Sequence, residues 1–289
     1  MEALRAPVAL FAMFSASVAC AQPAPAISDL TKDKVRFPSG DSFSLALPTL
    51  SVGQSDKQRM DQLTALSGGA GWKRFSRDST VAPVAIDVKY LNGADGSRVG
   101  HSLHAAFVVH ASLETLKDKD LMQQLFANES SPESLQGSEN ESKHQLSDKV
   151  LVERGITKTE NTSFAKAEIA LLKKVAVRGV LQVQKSESEN GIDFAFRLDK
   201  RFNDANQTSN AWSRIGKDKA TLPDWTPYGG AVGYLVVRRL PELESACLIE
   251  CRILLHEPKE WFNGSNLLRS KLPLMIQETA RSFRRKFKG

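Results

Sequence analysis

The sequence predicts an α+β protein in which a curved antiparallel sheet packs on one long C-terminal helix. Three observations predict it. Between residues 83 and 256, apolar residues recur with a period of two in runs separated by turn-forming residues. From about residue 271 the period changes to three-to-four and holds to Phe287. The closing stretch, "EWFNGSNLLRSKLPLMIQETARSFRRKF", joins the two regimes through an aromatic-glycine corner.

The N-terminus reads as a leader. Arg5 precedes the apolar run "APVALFAMFSASVACA", and Ala19-Cys20-Ala21 fits a small-x-small cleavage site before Gln22. The run is about 15 residues long, short of the ~20 that a spanning helix needs. Residues 1–21 are therefore expected to be a signal peptide, and the mature chain to be exported, periplasmic or extracellular, without a transmembrane segment. The competing reading is a lipoprotein with Cys20 lipidated after Ser17-Val18-Ala19. Serine stands where such signals usually carry leucine, which favours the cleaved leader.

Residues 22–82 read as an N-terminal arm with a short helix. Its lead, "QPAPAISDLTKDKVRFPSG", is proline-rich, charged and expected to be mobile. "SDKQRMDQLTALSGG" carries helix punctuation: Ser55 or Asp56 as N-cap, Met60, Leu63 and Leu66 on one side, and Gly68-Gly69 as a stop.

Residues 83–289 then form the sheet domain. "VAPVAIDVKYLNGADGSRVGHSLHAAFVVHA" reads as a hairpin about "NGADG", with Val84, Ile86, Val88 and Tyr90 on one face of the first strand. Leu103, Ala105, Phe107, Val109 and Ala111 share a face of the second, and a short helix follows with Ser112 and Thr115 as possible caps. Residues 127–149 have almost no apolar content and are expected to be a mobile excursion. One long strand is expected from residue 162 to the Asn190-Gly191 turn. In its partner Ile192, Phe194, Phe196, Leu198 and Phe202 face one way. Residues 203–230 read as an irregular connection holding Trp212 and Trp225. A last hairpin places Cys247, Ile249, Cys251, Ile253 and Leu255 opposite Glu250, Arg252 and His256.

For the closing helix, Pro273 is tolerated if Ser270 is the N-cap, since first-turn amides lack intrahelical partners. The helix is then expected over residues 271–287, about 25 Å long. Leu272, Ile276, Ala280, Phe283 and Phe287 make its apolar stripe.

Composition narrows the chemistry. The formal net charge is +6, of which Arg281, Arg284, Arg285, Lys286 and Lys288 supply five, leaving the rest of the chain close to neutral. Those five are the expected basic surface, placed where the helix macrodipole favours cations. A dispersed basic stripe for phosphate tracking is missing, so nucleic acid is not an expected partner. Cys247 and Cys251, four apart on one strand, would stand about 13 Å apart. A disulfide tolerates no more than ~7 Å between Cα atoms, so the two are expected as core thiols. His104 and His110 would lie roughly 20 Å apart on their strand, with His101 facing the other side. No metal site and no cofactor are expected. Gly-x-Ser-x-Gly, His-Glu-x-x-His, Cys-x-x-Cys and phosphate-loop patterns are absent from the sequence. His256-Glu257 is the remaining acid–base candidate; no catalytic residue is assigned and an enzyme is not the expected class.

An antiparallel meander followed by one amphipathic helix is the element order of helix-grip proteins. Residues 229–287, with the hairpin at Asn190-Gly191, resemble the last strands and C-terminal helix of the START-like superfamily. The ending, "WFNGSNLLRSKLPL" included, also resembles that of uncharacterised secreted bacterial proteins, which implies no activity. The helix-grip likeness implies an apolar cavity between sheet and helix. Its expected lining is Phe194, Phe196, Ile249, Ile253, Trp261, Leu272 and Ile276, around a lipid or other hydrophobic small molecule. The alternative is a cell-envelope interaction protein without a small ligand, docking through the basic helix end. The leader carries one direct expectation: N-terminal sequencing of protein from its native host should begin at Gln22, and a lipidated Cys20 terminus would replace that reading.

Overall fold

The computed structural model describes residues 26–32, 34–51, 53–117, 146–156, 159–203, 209–215 and 224–287. Its elements in chain order are α1 (Ala26–Lys32), β1 (Val35–Arg36), β2 (Ser42–Phe43), α2 (Asp56–Ser67), α3 (Trp72–Phe75), β3 (Ala85–Asn92), β4 (Arg98–Val109), α4 (Leu113–Lys117) and α5 (Asp148–Glu153). They continue with β5 (Thr162–Leu171), β6 (Val175–Ser188), β7 (Gly191–Leu198), β8 (Ala211–Arg214), β9 (Thr226–Pro227), β10 (Ala231–Arg239), β11 (Cys247–His256) and α6 (Leu267–Lys286). Nine strands form one sheet in the order β3-β4-β11-β10-β7-β6-β8-β9, with β5 also paired to β6. The pairings are antiparallel, and α6 packs on the sheet, so the α+β architecture is as expected.

Local chemistry explains the elements. Ser55 caps α2 and forms a reciprocal capping box with Gln58. Asp95 accepts the Ser97 amide at 2.9 Å inside the β3–β4 turn, and Ser112 accepts the Thr115 amide at 3.0 Å to start α4. The β10–β11 hairpin sets Leu235 opposite Cys251 and Val237 opposite Ile249. The longest-range join pairs β11 with β4, Cys247 against Val109, which places the last strand in the middle of the sheet.

Several expectations change. Residues 162–188 are two strands, not one, because Leu172 and Lys173 adopt left-handed φ of 52° and 55° and reverse the chain in two residues. Phe202 leaves the face of Phe194 and Phe196: β7 ends at Leu198, Asp199 caps a 3-10 turn, and the ring packs with Phe164 and Val180 on the other side. The 203–230 connection contributes β8 and β9, and Trp212 pairs with Val177 as a strand residue. The helix begins one turn early, with Asn266 rather than Ser270 at its N-cap position, so Pro273 lies inside it. Proline there removes the donor for the Arg269 carbonyl. Of the excursion expected at 127–149, residues 127–145 lie outside the described ones; Leu146 is buried and Asp148 opens α5.

The sheet is apolar on both faces. Its inner face carries Leu103, Phe107, Val109, Val183, Phe194, Phe196, Leu235, Ile249 and Ile253 in one core with Ala280 and Phe283 of α6. Cys247 and Cys251 belong to this core as free thiols, and burial pushes the Cys247 pKa up to about 12. The N-terminal arm, its lead expected to be mobile, covers the outer face. Ile27, Phe37 and Leu45 pack on Val232, Tyr234 and Leu254, and Leu63 and Phe75 pack on Val108 and Leu248. A buried carboxylate fastens the arm. Glu250 is fully buried and accepts the Thr49 amide at 2.8 Å, the Thr49 hydroxyl at 3.0 Å, His104 Nε2 at 2.9 Å and Arg252 Nε at 3.0 Å. Burial pushes its pKa up, but the His104 and Thr49 hydrogen bonds and the charges of His104 and Arg252 outweigh burial and hold it below the ordinary value.

Removing that carboxylate leaves His104, Arg252 and the Thr49 donors facing one another. Glu250→Ala should cost about 3–5 kcal/mol at pH 7, read by urea unfolding. Because the folded pKa is depressed, Glu250 contributes fully above the unfolded carboxylate value of about 4.5 and less as pH falls through its folded value. The difference between wild type and variant should therefore shrink below about pH 4.5; a constant difference from pH 7 to pH 3 would show that the charge is not what holds the arm.

Candidate functional site

The inner face and α6 bound the largest apolar core among the described residues. Strand parity puts residues 103, 105, 107 and 109 of β4 on that face, 249, 251 and 253 of β11, 235 and 237 of β10, and 194 and 196 of β7. At position 233 glycine is required by packing: a Cβ there would stand 2.9 Å from the Phe196 ring. The bare backbone of β10 lets that ring lie across it.

Six of the seven expected lining residues share this region. Phe194, Phe196, Ile249 and Ile253 are buried in the core, and Leu272 and Ile276 of α6 pack against it half-buried. Trp261 belongs to an adjoining cluster with Val177, Trp212, Tyr228 and Leu268, joined to the first through Leu198, Leu255 and Leu272. A small depression lined by Val108, Val109, His110, Arg284 and Phe287, among others, lies at the far end of α6 and shares none of the seven.

One end of the apolar region is polar, which sequence reasoning missed. His101 is on the inner face in phase with Leu103 and Phe107, opposite Leu255 on β11 and Tyr90 on β3. It is 1 % exposed, its ring lies 5.4 Å from that of Tyr90, and its Nε2 is bonded to the buried Glu257 carboxylate. The other oxygen of Glu257 accepts Arg98 at 3.0 Å, and the same arginine donates to the Ser265 carbonyl at 2.8 Å. Arg98 and Arg269 both stand over the Tyr90 ring, at 5.1 and 4.5 Å. The signal was present in the alternation: a histidine in phase with large apolar residues has to find a buried partner.

His256 and Glu257 do not act as a pair. Glu257 turns toward His101 and Arg98, while the His256 ring packs against Phe37 and Tyr228. Burial lowers the His256 pKa despite the nearby Glu260 and Glu257 charges, and burial raises that of Tyr228, whose hydroxyl donates to the His256 carbonyl at 3.0 Å.

The connection over residues 257–266 is the cover of this end. Trp261 and Phe262 are buried, and Trp261 stacks on Tyr228 with ring centroids 5.3 Å apart. Asn263 and Gly264 take left-handed φ of 52° and 71°, which turn the chain into α6. Two arginines from the sheet hold the loop. Arg214 donates to the Glu260 carbonyl at 2.8 Å and to Asn263 Oδ1, and Arg98 holds Ser265.

The expected basic surface is smaller than five residues. Arg284 is buried, donating to the carbonyls of Val108 at 2.9 Å, Ala82 at 2.5 Å and Pro83 at 3.1 Å with its guanidinium over Phe107. Burial, and then the Arg281 and Arg77 charges, push its pKa down to about 10. The reason is its phase: one residue after Phe283, it falls against the β4 edge rather than in water. Arg281 is bridged to Glu278 at 2.6 Å, Arg285 is exposed, Lys286 is half-buried, and Lys288 lies outside the described residues. Among the described residues no group of three or more potential ligands could hold a metal ion, and no helix is long and apolar enough to cross a membrane.

No family model matches the chain, and no curated protein sequence matches it either. Solved structures give a weak helix-grip-like resemblance to START-related domains. The lipid transfer and protein localization domain of human StarD13 is 12 % identical, over 70 % of this chain and 84 % of that one, at a TM-score of 0.37. Human StAR-related lipid transfer protein 5 is 8 % identical over 70 % and 81 %, at 0.38, and human STARD10 13 % identical over 81 % and 84 %, at 0.36.

Arg284 and Arg285 separate anchor from surface. Arg284→Met strips three buried carbonyls of their donor and should cost about 3 kcal/mol in urea unfolding. Arg285→Ala should stay within about 0.5 kcal/mol. Equal costs would remove the anchor role.

Proposed function

We propose that the protein binds an apolar small molecule, a lipid or similar hydrophobic compound, between the inner face of the sheet and α6. One observation supports this reading above the rest. The inner apolar surface runs across β4, β11, β10, β7 and β6, while the closing helix stands nearest β3 and β4. A surface that wide exceeds what one amphipathic helix of twenty residues needs for its own docking. Phe194, Phe196, Ile249 and Ile253 would form the floor, Leu272 and Ile276 the roof, and Trp261 the end wall. Uptake would require α6 and the 257–266 loop to move off the sheet, releasing the Arg98 and Arg214 contacts. The proposed compartment is outside the cytoplasm, on the leader-like residues 6–21.

The test is organic extraction of the purified full chain, followed by mass spectrometry of the extract. A specific apolar compound in molar amounts comparable to the protein is expected, and its return to stripped protein should raise the unfolding temperature. At a hundredfold excess over Kd the gain is about 2.7 kcal/mol. An extract indistinguishable from that of a control protein, with no stabilisation by any returned compound, sinks the proposal and leaves docking to an envelope partner as the better reading.

A further inference from the structure

We propose that His101 Nδ1 recognises a hydroxyl group on the bound molecule, so that the protein prefers an aliphatic alcohol to an apolar chain of equal length without one. The inference rests on the apolar-ligand reading and assigns the polar end of the same site.

Three features of the His101 corner support it. First, the position: His101 lies on the inner face beside Leu103 and opposite Leu255, both part of the apolar region. Second, the tautomer: with Nε2 bonded to the Glu257 carboxylate, Nε2 carries the hydrogen, and in that tautomer Nδ1 is the acceptor. Third, the satisfaction of that acceptor: Nδ1 is buried and has no hydrogen-bond partner among the described residues. Buried polar atoms are paired in the large majority of cases, and leaving one unpaired is costly.

The surroundings select the partner's charge. Glu257 is balanced by Arg98 at 3.0 Å, and Arg269 is occupied by the Tyr90 ring and by the Val88 carbonyl at 3.3 Å. An acceptor nitrogen beside a balanced ion pair favours a neutral donor over a carboxylate, which would bring negative charge to an acceptor. A ketone or ester has no hydrogen to give. A hydroxyl can donate to Nδ1 while its carbon chain occupies the apolar region. The Glu257 bond fixes the ring's orientation in advance, so little ordering is needed on binding.

The experiment compares 1-decanol, 1-bromodecane and decanoate as competitors for a fluorescent apolar probe on the stripped full chain. 1-Decanol is expected to bind about tenfold more tightly than 1-bromodecane, the return from one added buried hydrogen bond. His101→Phe should bring the two within about twofold of each other. Equal binding of both by wild type overturns the inference and leaves the apolar-ligand reading standing. Tighter binding of decanoate also overturns it, in favour of an anion drawn to Arg98. Binding of neither takes the apolar-ligand reading down as well. If His101→Phe does not fold, the imidazole ¹⁵N resonances of the wild type decide: Nδ1 should shift with saturating decanol and not with bromodecane, and an unmoved Nδ1 rejects the inference.

Discussion

A sheet that is apolar on both faces cannot leave either one in water, and that constraint organises this protein. Val232, Tyr234 and Leu254 point outward from the strands that carry Leu235 and Ile253 inward. At about 1.5–3 kcal/mol for each large apolar side chain taken out of water, neither layer is optional. The inner face takes α6. The outer face takes the N-terminal arm, whose Ile27, Phe37 and Leu45 are buried against it. The nine-stranded sheet is thus the middle of three layers.

Charge inside such a structure has to be satisfied locally, and the chain does so in three ways. Glu250 gathers four donors from the arm, from neighbouring β4 and from its own strand, turning the covering layer into a fastened one. Arg284 does without a carboxylate and spends its donors on three backbone carbonyls, fixing the end of α6 to the β4 edge. Glu257, at the start of the loop before α6, is shared between His101 and Arg98, and Arg98 also holds Ser265 at the loop's far end. The helix is therefore anchored at its C-terminal end by a buried cation and at its entry by arginine contacts to a turn. The two ends differ in kind. The Arg284 bonds are in the interior, whereas Arg98 and Arg214 hold the entry loop near solvent, where opening costs less.

Much of this was legible along the chain. The period-two alternation of β3, β4, β7 and β11, the Ser55 cap and the stripe from Leu272 to Phe287 all express local rules, and the structure follows them. Legibility ended where a local rule was satisfied by an unusual residue or by a distant partner. Leu172-Lys173 makes a tight reversal without the Asn or Gly that announces one, because the pairing of β5 with β6 compensates for its left-handed φ angles. Arg284 reads as part of a basic tail until the Ala82, Pro83 and Val108 carbonyls, some two hundred positions away in sequence for the first two, come to meet it. The lining candidates were readable as an apolar face, but the polar corner was not. His101 and Glu257 are separated by 156 residues, and nothing in either neighbourhood names the other.

By itself the sequence determined which residues alternate, where most turns fall and which stripe of the last helix is apolar, since these depend on neighbours within a few positions. Tertiary structure alone decided that the arm covers the outer face, that β11 enters beside β4, and that Glu250, Glu257 and Arg284 are interior charges. A buried charge is tolerated only where particular donors or acceptors converge on it, and that convergence is a property of strand order and register rather than of any one segment.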